Sequence, residues 1–195
     1  MVNPNRIAQR KFLLSIASIS KELVILQIQL STPKKNVQTL TQWLGYLGLI
    51  PFIAPLIEMF AAVSINSSIQ SAVFLGFYAP YVFVAYSAVI LSFLGGILWG
   101  KGRQESTANR SNMALIISNL ISILAWLSLL MIHISALMTL FAVTLLMCGY
   151  ASLLLAERSV DAINEDLGYW RMRLVLTALV IVAHSLTLIL LIRDL

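Results

Sequence analysis

Few side chains in this sequence can do chemistry, and most of them stand apart. Glu58 is the only acid well inside a long apolar run, and Pro51 and Pro55 lie just before it. Proline has no N–H for the carbonyl four residues back, so the carbonyls of Leu47 and Pro51 lose their helical partners. A carboxylate beside freed carbonyls is the chemistry of a proton or cation site at a broken helix. The plainer alternative is a neutral carboxyl bonded to a neighbouring helix, or one that reaches the outer interface. A lone charge at mid-membrane costs about 2.5–3.5 kcal/mol, which turns Glu58 toward the bundle interior. His184 lies in the last apolar run; pairing with Glu58 is conceivable, and a single interhelical hydrogen bond is the simpler expectation. Asn119 can bond across helices for about 1 kcal/mol or less. Glu58, Asn119 and His184 are therefore the candidate intramembrane polar site.

Other chemistry finds no footing. Glu157, Asp161, Glu165 and Asp166 match no calcium loop, and a solvated helical linker is the expected setting. Cys148 is the sole cysteine, which excludes an intrachain disulfide and a cysteine metal site. Ser18 and Lys21 echo a serine–lysine pair with nothing to place them in a pocket. The sequence has no Walker loop, paired-histidine zinc motif or serine elbow. No catalytic residue, metal or cofactor is expected, and the chain is not expected to be an enzyme.

The elements that must carry these residues are membrane spans. Of 195 residues, 59% are hydrophobic and 11% charged, with a mean hydropathy of +0.91. Soluble domains carry about 25% charged residues, so the solvent here is lipid. The expected fold is all-α: a polytopic five-helix transmembrane bundle, with spans near 43–64, 80–100, 113–131, 136–156 and 174–192. Ile132 to Ser135 makes a tight hairpin with His133 at the interface, and Tyr169 and Trp170 join the aromatic belt. Residues 71–78 are apolar but too short to cross. They rest at the interface or lengthen the second span. That span carries small residues every fourth position, Ala88, Ser92, Gly96 and Gly100, with Gly95 widening the stripe and Trp99 at headgroup level. Such a stripe lets another helix come close, so it reads as a helix-packing motif.

Residues 1–42 form a separate basic arm, and 43–195 the membrane domain. In the arm, Phe12, Ile16, Ile19, Leu23, Leu26 and Leu30 share one helical face. It reads as an amphipathic helix on the membrane surface, or as an arm packed on its own spans or on a second subunit. A cleaved signal peptide fits poorly, and a mitochondrial transit peptide fits better. Thr32 and Pro33 read as a helix start. With five spans, twelve of the thirteen Lys and Arg fall on one side, and only Arg193 on the other. The positive-inside rule puts the N-terminus inside and the C-terminus outside. The net charge of +5 then answers to anionic lipid, not nucleic acid.

LGYLGLIPF (44–52), YSAVILSFLGGILWG (86–100), ILAWLSLL (123–130) and YWRMRLVLT (169–177) resemble domain of unknown function 3429, the transmembrane protein 69-like family. The resemblance covers roughly residues 43–192. Family members tend to carry a polar residue before the tryptophan of the FLGGxxWG core, where this chain has Leu98. Ile121 stands where a proline is usual in the third span. Both departures argue against a catalytic role at those positions. The resemblance implies a small multi-span protein of bacterial inner membranes, or of mitochondria in eukaryotes, with no established activity. Two functions stand open: a non-catalytic accessory, assembly or scaffold component working through helix packing on a membrane partner or as a homo-oligomer, and a small transporter or channel for protons, cations or a small solute using Glu58.

Overall fold

The computed structural model describes residues 20–22, 35–65, 68–160 and 167–194. Five helical stretches are long and apolar enough to cross a membrane: Thr39–Ser64, Ala79–Gln104, Ala108–Met131, Ala136–Val160 and Gly168–Arg193. The chain is an all-α polytopic bundle, as its composition requires. Its contacts cluster into two units, Met1–Trp43 and Leu44–Leu195. In the first unit, Ser20 to Glu22 are helical. The remainder of the amphipathic arm and the Thr32–Pro33 helix start lie outside the described residues.

The first span is two helices, α1 (Lys35–Leu47) and α2 (Ile50–Ser64), broken at Gly48 and Leu49. Pro51 sits in the first turn of α2, where its missing N–H is harmless. Phe52 gives its N–H to Leu49, 3.0 Å away, so the Gly48 carbonyl is left over. It accepts from the Tyr86 hydroxyl at 3.0 Å. A neighbouring side chain thus satisfies the backbone at the proline break, as hydrocarbon surroundings demand.

Residues 71–78 do not extend the next span, whose helix begins at Ala79. After a 3₁₀ turn, Val73–Phe74 (β1) pairs antiparallel with Phe77–Tyr78 (β2). Leu75 and Gly76 have φ of 52° and 82°, the doubly positive geometry of a tight hairpin. The hairpin leads into α3 (Ala79–Gln104), followed by α4 (Ala108–Met131), α5 (Ala136–Val160) and α6 (Leu167–Arg193). The α4–α5 connection is as tight as the sequence indicates, and the His133 ring lies 5.5 Å from that of Tyr81.

Helix α3 lies among the other helices, and its buried face takes in only part of the expected packing stripe. Val84, Ala88, Leu91, Gly95, Leu98 and Gly102 are buried, at steps of four and three. A Cβ on Gly95 would stand 3.2 Å from the Ser118 carbonyl oxygen, and one on Gly102 only 2.8 Å from the Ala114 Cβ. Ala88 and Gly95 therefore do pack. Ser92 and Gly100 are half-buried and Gly96 is exposed, and a Cβ added at either glycine meets nothing within 4 Å. A strict step of four advances about 400° on a helix of 3.6 residues per turn, so the stripe drifts about 40° per step off any face. Trp99 is 46% exposed and lies under the Arg103 guanidinium, 5.5 Å from ring centre to Cζ.

Candidate functional site

Two clusters of buried polar side chains lie inside the bundle. The first is charged and joins three helices at one end. Glu157, in the last turn of α5, is 2% exposed. Its Oε1 accepts from Lys101 Nζ of α3 at 3.0 Å, and its Oε2 from Arg173 Nε of α6 at 2.9 Å. Lys101 also lies 5.5 Å from the Tyr169 ring centre. This corrects the solvated-linker expectation for Glu157. The residue continues the buried 146–150–153 face of α5 and brings its carboxylate inside with two cations. Asp161, Glu165 and Asp166 lie outside the described residues.

The second cluster is uncharged and sits in an aromatic nest. His184 and Ser87 are both 0% exposed. The Val180 carbonyl lies 2.7 Å from His184 Nδ1 and can only accept, so Nδ1 carries a proton. With a neutral ring, Nε2 accepts from the Ser87 hydroxyl at 2.8 Å. The Ser87 carbonyl in turn accepts from the Tyr150 hydroxyl at 2.9 Å. Phe52, Phe83 and Tyr150 surround the imidazole at ring-centre distances of 5.9, 4.9 and 5.5 Å. Helices α2, α3, α5 and α6 all meet at this one ring. The interhelical bond expected of His184 is formed, with Ser87 as its partner.

The three residues of the sequence-derived polar site are not brought together. Glu58 is exposed on the outside of α2 and makes no hydrogen bond or ion pair with the other described residues. It neither faces the interior nor pairs with His184: the buried residues of α2 (Phe52, Pro55, Met59, Ala62 and Val63) centre about 90° around the helix from it, which leaves Glu58 at the edge of that face. Asn119 is exposed on α4 and donates to its own Leu115 carbonyl at 2.8 Å. Beside α2, an apolar groove of about 350 Å³ is lined by Ile53, Ile57 and Phe60 with Leu186, Ile189 and Leu190 of α6. No cluster of three or more His, Cys, Asp or Glu able to hold a metal occurs among the described residues.

A third polar contact closes the opposite end. Asp194 accepts from the Ser68 hydroxyl at 2.9 Å and from the Ile69 N–H at 3.0 Å, capping the 3₁₀ turn. Burial, and then this carboxylate, push the nearby Tyr78 phenol above its usual range.

Spacing on the sequence does hold the signal for both missed clusters. Ser87, Tyr150, Glu157 and Arg173 each fall in step with buried apolar neighbours on their own helices. What the sequence does not carry is which helices abut.

These features define a helical integral membrane protein of five candidate spans whose interior polar groups bind its helices to one another. A family model described as Protein of unknown function (DUF3429) matches residues 37–189, and the chain belongs to that family. It is similar to Transmembrane protein 69 of Xenopus tropicalis, 41% identical over 92 residues. That stretch covers 45% of this chain and 31% of the relative, so the chain matches about a third of the relative's length. No solved structure matches.

Proposed function

We propose that this chain is a non-catalytic accessory, assembly or scaffold component of a membrane, working through helix packing. The observation that carries the reading is that the two buried polar clusters spend their hydrogen bonds holding helices together. Glu157 uses both oxygens on Lys101 and Arg173, and His184 uses both nitrogens on Ser87 and Val180. The Ser87–His184 spacing resembles that of a nucleophile and its base. Both side chains are fully buried behind Phe52, Phe83 and Tyr150, which leaves a substrate no approach and speaks against an enzyme. The basic-residue asymmetry supports an orientation with the N-terminus inside and the C-terminus outside. The membrane is the bacterial inner membrane, or a mitochondrial membrane if the chain is eukaryotic. Its partners are the bilayer and a second membrane protein.

One observation favours the second reading, a small proton carrier. The Thr177 hydroxyl is buried without a hydrogen-bond partner, on the α6 face between Arg173 and His184. That face could extend a polar track from the charged cluster to the imidazole. Gentle solubilisation of native membranes tests the two readings against each other. The accessory reading expects a complex of fixed stoichiometry and no proton flux when the purified chain is placed in liposomes. A monomer whose proton flux is abolished in His184→Asn would overturn it.

A further inference from the structure

The unpaired carboxylate of Glu58 stands on a face of α2 that no other part of the described bundle covers. Six residues separate it from Ser64, which ends the helix, so it lies about 9 Å below that end. At that depth a bare carboxylate is costly, and in known spans such groups pair with another group or face a cavity. The residues one turn away on its outer side are small, Ala54 half-buried and Ala61 exposed, while those on its inner side, Pro55 and Ala62, are buried. Alanines on either side allow a second helix backbone to approach closely. A charge to be neutralised and room for a helix beside it thus coincide on one stripe, away from the apolar groove on the α6 side.

From the Ala54–Glu58–Ala61 face we infer a docking surface for a transmembrane helix of a different chain, one that presents a lysine or arginine to Glu58. This deepens the accessory reading and rests on it. A second copy does not fit as the occupant. At the Glu58 end of the bundle the cation of the described spans is Arg193, the final residue of α6. Asp194 bonds to Ser68 and Ile69, which sets that helix end level with the residues just past α2, about two turns beyond Glu58. Charge complementarity therefore points to a foreign helix with a basic residue inside its span.

The test places a photo-crosslinking side chain at Ala61 in the full chain, and in a separate variant at Phe93, on the outward face of α3. Both are made in the membranes where the protein normally resides. From Ala61 the expected product is one adduct with a different membrane protein, crosslinked through a span that contains Lys or Arg. Glu58→Gln should lower its yield about tenfold and Glu58→Asp should keep it. Glu58→Lys combined with Glu at the partner's cation should restore it. An adduct with a second copy, an adduct indifferent to Glu58→Gln, or lipid adducts alone would overturn the inference. Glu58 makes no bond within the described chain, so the variants should accumulate as wild type does. A stoichiometric partner captured from Phe93 but not from Ala61 would sink this surface alone; capture from neither would sink the accessory reading as well.

Discussion

Glu157 and Glu58 are the same side chain on two membrane helices, and they meet opposite fates. Glu157 is buried between a lysine and an arginine; Glu58 looks outward with no partner in the described chain. Depth in the span suggests the reverse, since Glu58 is the deeper of the two. Helical phase decides instead. Glu157 falls in step with Leu146, Tyr150 and Leu153, all buried, whereas Glu58 stands at the edge of the buried face of α2, with exposed Ile57 and Ala61 and half-buried Ala54 on its outer side. A carboxylate's role in such a protein is set by the face it shares more than by the hydrophobicity around it.

That contrast can be broken at its strong end first. Glu157→Ala takes the carboxylate away from buried Arg173 and half-buried Lys101, and losing one member of a buried pair costs about 3–5 kcal/mol. Unfolding followed in mild detergent should register a loss of that order, and a near-neutral result would mean that Lys101 and Arg173 escape to solvent. The same phase argument on α3 is sharpened by paired glycine variants. Gly102→Leu drives a side chain against Ala114 and should cost about 1–3 kcal/mol. Gly96→Leu meets nothing and should stay within about 0.5 kcal/mol, the opposite of what the every-fourth stripe suggests. His184→Leu should fall between these two, near the roughly 0.6 kcal/mol average for an interhelical hydrogen bond in a membrane and no more than about 1.7. Glu58→Gln should be among the smallest effects on stability, within about 0.5 kcal/mol, while lowering partner capture about tenfold. A large loss of stability there would mean that Glu58 belongs to the fold.

Much of the architecture was legible in the sequence because lipid imposes long uncharged runs with basic ends. Five such runs, the hairpin at Ile132 to Ser135 and the break near Pro51 all follow from composition and proline chemistry. The β-hairpin at Val73 to Tyr78 was hidden because its strands are two residues each, too short for alternation to register. The polar clusters were hidden for another reason. Ser87 and His184 are 97 positions apart, and Lys101 and Glu157 are 56 apart, so their meeting depends on which helices touch. Gly96 lies off the buried face of α3 for a local reason: a repeat of four looks like a face on paper and winds around the helix in three dimensions.

The clasp formed by Asp194 carries a consequence for how the protein is made. Ile69 emerges from the ribosome 125 residues before the carboxylate that caps its N–H. The loop after the first span must therefore wait, unlatched, until the fifth helix has been synthesised and threaded. A chain interrupted before that point presents an open loop where a finished one presents a closed ring.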